Sequence, residues 1–243
     1  MRGLSLAYDG EADWMQDMAT QKPALKRKTI SLALQGGGAL GAFTWGVLDR
    51  FLEEEAFDIA AVSGASAGAM NAVVLAQGFA EGREEGARAK LRAFWEGVAC
   101  AGMHNPYRRM PMMAFMNAFN PAWARQGQAA WAVWADLASR VASPYDLNPL
   151  NLNPLKEVLE EFVDFAHVRE SPIKLFISAT NVETGRIRVF SNAELTSAHI
   201  MASACLPLLF QAVEIDGAPY WDGGYMGNPA LFPLFSVQET DDV

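Results

Sequence analysis

Two glycine turns, GGGALG at 36–41 and GASAG at 64–68, constrain this chain more than any other feature. Each follows a short apolar run, TISLAL before the first and FDIAAVSG into the second, and each opens a segment with helical character. Turns this short, in the order strand, turn, helix, strand, turn, helix, make neighbouring strands parallel and lay the connecting helices on the sheet. Strands are expected at 29–34 and 57–63, with helices over about 39–54 and 66–80. Further along, LKEVLEEFVDF reads as one short amphipathic helix, 173–179 and 186–190 as strands, and AVEIDGAPYWDGG as two extended runs about Asp216-Gly217.

The first turn contains a literal G-x-G-x-x-G, the pattern that seats a dinucleotide pyrophosphate. That role also needs an acidic residue closing the second strand about 20 residues on, to hold the ribose hydroxyls. The second strand here ends Val62-Ser63-Gly64, with no carboxylate, and no Lys-Ser or Lys-Thr follows Gly41 to make a nucleoside-triphosphate loop.

What closes the second strand is Gly64-Ala65-Ser66-Ala67-Gly68, a G-x-S-x-G between a strand and a helix. A serine on such a sharp turn needs small neighbours, and Ala65 and Ala67 supply them. The turn also sets the hydroxyl at the N-terminal end of a helix, where unpaired N–H groups favour negative charge. Ser66 is therefore the candidate nucleophile. Its base is not a histidine in the usual hydrolase order of serine, acid, histidine, because none follows His199. Of the late carboxylates, Asp222 enters the turn Trp221-Asp222-Gly223-Gly224, whose glycines let the backbone aim a side chain at a neighbouring loop. A carboxylate is a weak base for a hydroxyl, with an ordinary pKa of about 3.9, so the site must lower the cost of the developing charge. Gly36, Gly37 and Gly38 can do this by aiming backbone N–H groups at one point as an oxyanion hole.

The net charge of −9 offers no basic excess for nucleic acid. The N-terminus MRGLSLAYDGEADW lacks the pattern of a signal peptide, and no apolar run reaches the roughly 18 residues of a membrane span. A cytoplasmic protein, or one peripheral to a membrane with transient surface contact, is expected. Cys100 and Cys205 read as buried thiols, since neither belongs to a C-x-x-C pair. Residues 1–27 read as an N-terminal arm ending in a solvated basic cluster, and 28–243 as one domain. Within it, about 100–142 forms a Met/Trp-rich, lid-like helical region, with Met103, Met110, Met112, Met113 and Met116 ahead of Trp123, Trp131 and Trp134.

Taken in order, GGGALG, GASAG and DGG at 222–224, with ATNVETGRIRVF and ASACLP between, resemble the signature set of the patatin-like phospholipase family from about Lys28 to Pro233. The resemblance implies a three-layer α/β/α fold with a mainly parallel central sheet. It further implies a Ser-Asp dyad that hydrolyses lipid acyl esters without metal or organic cofactor. Carried over by motif, Ser66 is the nucleophile, Asp222 the base, and Gly36, Gly37 and Gly38 the oxyanion loop, with Gly41, Gly64, Gly68, Gly223 and Gly224 as motif glycines. The family often has a basic residue where this sequence has Leu40. Acyl transfer or thioester hydrolysis through the same acyl-enzyme, and lipid binding without catalysis, are the alternatives.

Overall fold

The computed structural model describes residues 27–104 and 143–237. The arm, apart from Arg27, and the Met/Trp-rich region, apart from the helical residues up to His104, lie outside the described residues.

Six strands form one mixed sheet: β1 Lys28–Leu34, β2 Phe57–Gly64, β3 Lys174–Asn181, β4 Ile187–Ser191, β5 Val213–Ile215 and β6 Ala218–Asp222. β1 pairs parallel with β2, and β2 parallel with β3, while β4 and β6 each run antiparallel to β3 and β5 antiparallel to β6. Four of the six strands, β1, β2, β3 and β5, therefore point the same way. The β1–β2 register slips once, between Ile30 and Ser31.

The pairing along β3 determines where the site forms. β4 takes one edge of β3 over Phe176–Thr180, so β2 and β6 share the other edge, β2 along Lys174–Ile177 and β6 along Ala179–Asn181. They run in opposite directions and meet end to end. Gly64 faces Ile177 and Asp222 faces Ala179, two positions apart on β3, or about 7 Å along a strand. The β5–β6 hairpin turns at Asp216 and Gly217, both at positive φ (51° and 76°), which is the two-residue type I′ geometry that matches strand twist.

Helices pack on the face carrying Val62, Leu175, Ile177 and Ala179. α1 Gly41–Glu53 starts after a single 3-10 turn at Gly38–Leu40, slightly later than read from sequence because the glycines are used as loop. α2 Ala67–His104 runs well past the expected end at residue 80. Its regular backbone breaks at Gly82 and Arg83 (φ 52°), and a second arm folds back along the first. The two arms touch so closely that a Cβ on Gly78 would lie 2.5 Å from the Gly86 carbonyl oxygen. The returning arm buries Ala87, Leu91, Phe94 and Trp95, the i, i+4, i+7, i+8 spacing of one helical face, behind the polar run EGREEG that masks it in sequence.

α3 is the short Pro144–Leu147. The short helix expected in LKEVLEEFVDF is α4 Pro154–Phe162, which ends at extended backbone at Val163 and Asp164, and a further helix, α5 Phe165–Glu170, follows directly. Asn153 caps the first by accepting from the Leu155 amide at 3.2 Å, and Asp164 the second by accepting from Ala166 at 2.8 Å. α6 Ser197–Ser203 was not read from the sequence, because it is too short and too uniformly buried to show a period. Opposite the helices, Ala61, Leu234 and Val237 form a smaller cluster against Phe176.

Two surface expectations need correction. Arg27 is not merely solvated: it pairs with Glu55 at 3.0 Å, Asp58 at 3.3 Å and Glu84, tying the start of β1 to β2 and to the second arm of α2. Cys205 is buried as read, and burial pushes its thiol up to about 12. Cys100 is exposed, because it falls on the outward side of the late turns of α2.

Candidate active site

Ser66 stands between β2 and α2 with φ of +54°, a conformation that costs a non-glycine residue free energy and persists only when its surroundings hold it. Those surroundings are specific. The Ser66 amide donates to the Ser203 hydroxyl at 3.0 Å, and the Ser66 carbonyl accepts from the Ala69 and Met70 amides, starting α2. The Ala65 amide donates to the Leu34 carbonyl, so the elbow is also tied to the end of β1. Close backbone contacts enforce the small residues: a Cβ on Gly68 would sit 2.0 Å from the Leu34 carbonyl oxygen, and one on Gly64 2.7 Å from that of Gly68.

Asp222 ends β6 beside this elbow. Its amide donates to the Cys205 carbonyl at 2.8 Å and its carbonyl accepts from the Thr180 hydroxyl at 2.9 Å, fixing the backbone between β3 and the loop after α6. Oδ1 accepts from the Gly224 amide at 2.7 Å, while Oδ2 is buried without a hydrogen-bond partner. Burial pushes the carboxyl above the usual carboxylate range, and the nearby Ser66 hydroxyl and the Gly224 amide oppose that rise. Gly223 lies so close to β3 that a Cβ there would meet the Ser178 carbonyl oxygen at 2.1 Å.

The first glycine turn folds over the serine. A Cβ on Gly36 would lie 2.7 Å from Cβ of Ser66. The Gly36 amide donates to Asn228 Oδ1 at 2.6 Å, and Asn228 Nδ2 reaches the Gly36 carbonyl at 3.5 Å. That amide is therefore already engaged. Gly38 takes positive φ (58°), turning the chain into the 3-10 turn, and neither the Gly37 nor the Gly38 amide donates within the described residues. Gly41 has Trp95 and Ala67 pressed against it, at 2.7 and 2.8 Å from a modelling Cβ.

The structure brings all three motifs to one place. Gly36, Gly37, Gly38, Ser66, Asp222 and Gly224 line a single cavity of about 210 Å³ with Leu206, Tyr225 and Asn228. Among the described residues, Asp222 is the one carboxylate in that lining, and no histidine belongs to it. His199 is buried elsewhere, its Nδ1 taken by Thr196 and its ring edge-on to Phe190, and burial lowers its pKa. His167 faces Asp164 and Glu81. Among the described residues, no cluster of three or more His, Cys, Asp or Glu has a metal-holding arrangement. Asn228 and Ser203 were missed in the sequence. Asn228 could have been suspected as the polar residue before Pro229 on the way out of the DGG turn, and Ser203 from its place in the ASACLP segment that carries part of the resemblance.

A glycine turn, a strained serine and a buried carboxylate at the end of a mixed sheet, with mainly parallel strands flanked by helices, define a class of acyl hydrolase architecture. The chain belongs to the patatin-like phospholipase family, whose family model matches residues 32–235. No curated protein matches the chain. Among solved structures, VipD from Legionella pneumophila aligns at 16% identity with a TM-score of 0.38, over 82% of this chain and 46% of that protein. The chain thus spans less than half the length of that protein. No described helix is long and apolar enough to cross a membrane.

Proposed function

We propose that the protein hydrolyses carboxylic esters of lipids through a Ser66–Asp222 dyad. The reading rests on one observation: Ser66, Asp222, Gly37 and Gly38 line the same cavity. Asp222 takes the Ser66 proton as the serine oxygen attacks the ester carbonyl carbon. The carbonyl oxygen becomes an oxyanion that accepts from the Gly37 and Gly38 amides, near the N-terminus of α2. Collapse expels the alcohol, which takes the proton back from Asp222, and leaves an acyl group on Ser66. Asp222 then deprotonates a water that attacks the acyl carbon, releasing the fatty acid and restoring the serine.

The strained elbow supports this role, since backbone at positive φ persists only where its surroundings hold it, as at sites where geometry matters. Tyr225 and Leu206 give the entrance an apolar wall suited to an acyl chain. A fluorophosphonate probe, which reacts only with an activated serine, is expected to label the protein stoichiometrically at Ser66. Labelling elsewhere, or none in protein that is folded, defeats the dyad.

The Asn228 latch leaves the Gly36 amide engaged and so fixes the direction of the next two amides. Asn228→Ala is expected to lower kcat on a short-chain ester by about tenfold or more, as misdirected oxyanion donors do, with KM changing much less. A change confined to KM would mean that Asn228 serves binding only.

A further inference from the structure

Charge is distributed unevenly in this chain. It carries 19 basic and 28 acidic residues, yet the stretches 29–48, 147–155, 195–213 and 223–237 contain no Asp, Glu, Lys or Arg. Buried segments avoid charge in any fold, but these stretches also supply eleven of the twelve exposed large apolar side chains among the described residues. Exposed, apolar and uncharged loops are unusual in a protein of net charge −9.

The four stretches converge on one region. Three of them line the cavity directly, through Gly36–Gly38, Leu206 and Tyr225. The fourth is joined to them by Gln211, whose side-chain amide donates to the Asn148 carbonyl at 2.9 Å. From the glycine turn, Leu40, Phe43 and Val47 continue outward at i, i+3, i+7 as an exposed stripe on α1, with Phe43 76% exposed. The stripe leads into a groove of about 560 Å³ that also holds Phe51 stacked on Phe57 at 4.5 Å. Charge resumes only at its far end, where Arg50 pairs with Glu53 and Glu54.

We infer that this uncharged apolar rim docks on an electrically neutral lipid surface and presents the cavity mouth to it. The occupant follows from two facts. The four stretches carry no Lys or Arg to attract anionic headgroups, Arg50 at the groove is paired with Glu53 and Glu54, and the net negative charge of the chain repels them. The rim also surrounds the opening: a protein partner covering it would close the cavity, whereas a lipid layer covering it supplies what the cavity is proposed to take. The inference rests on the ester-hydrolase reading for its purpose, but the docking itself is measurable without turnover.

The test uses the full chain with vesicles of pure phosphatidylcholine, with and without added phosphatidylserine, at low and high salt. Binding to pure phosphatidylcholine is expected, unaffected by salt and weakened by phosphatidylserine. Phe43→Glu and Leu208→Glu alter side chains that are largely exposed and outside the cavity lining. Together they are expected to lower vesicle partitioning about tenfold or more, while hydrolysis of a water-soluble short-chain ester stays unchanged. Absence of phosphatidylcholine binding, a requirement for phosphatidylserine, or indifference to both substitutions overturns the inference. So does a concentration-dependent dimer that the same substitutions dissolve, since the rim would then be a self-association face. If Ser66→Ala protein still binds vesicles and wild-type protein binds them but hydrolyses no ester, the docking surface stands and the catalytic reading falls.

Discussion

Ser66→Ala is expected to reduce turnover of a short-chain chromogenic ester by about 10⁴-fold or more, the scale of losing the nucleophile in a serine hydrolase. The mutation removes one oxygen from a residue whose backbone is held by other groups: Ser203 accepts from its amide and α2 starts from its carbonyl. Folding should therefore survive, and thermal melting of the variant should stay near that of the wild type. The substitution also removes the hydroxyl that favours the Asp222 carboxylate, so burial acts on that carboxyl with less opposition. A folded Ser66→Ala protein that keeps wild-type turnover would remove Ser66 from the mechanism.

Asp222→Asn is expected to lower kcat by about 10²–10⁴-fold, the usual contribution of a general base, and at the same time to stabilise the protein at neutral pH. The stability effect follows from the direction of the pKa shift. Burial raises the folded-state value of Asp222 above its unfolded value of about 3.9. A carboxyl shifted upward favours folding while it is protonated, below the unfolded value, and that advantage is lost as pH rises through the folded value. Asparagine keeps an oxygen for the Gly224 amide and carries no buried charge. The melting temperature of the variant should exceed that of the wild type near neutral pH, and the difference should shrink toward about pH 4. In the wild type, kcat should rise with pH along a limb placed above the ordinary aspartate range, because the base acts as carboxylate. A variant that keeps wild-type kcat, or a wild-type profile flat across that range, would exclude Asp222 as the base.

Much of the fold was legible because short-range signals agreed with one another. The strand runs at 29–34 and 57–63, both glycine turns and the hairpin about Asp216-Gly217 fall close to their observed places, since each is set by local backbone needs. What escaped the reading depended on partners distant in sequence. The second arm of α2 buries Leu91 and Phe94 only because the break at Gly82 and Arg83 folds it back. The start of α5 is an Asp164 cap inside an unbroken amphipathic pattern. At the candidate site, the meeting of Ser66, Asp222 and the glycine loop at one cavity was expected, because the proposed chemistry requires particular residue types. Asn228 and Ser203 were not, because their value lies in a hydrogen bond to a loop far away along the chain. Gly36 shows the same limit: the sequence grouped it with two other amide donors, and the fold commits its amide to Asn228.

The head-on meeting of β2 and β6 makes β3 a ruler, and the spacing between serine and acid is read off in whole residues along it. A slip of β6 by two positions would keep every inward side chain facing inward and still carry Asp222 about 7 Å from its mark. The two-residue turn at Asp216 and Gly217, though outside the cavity lining, therefore sets the spacing of the proposed dyad by fixing where the tape begins.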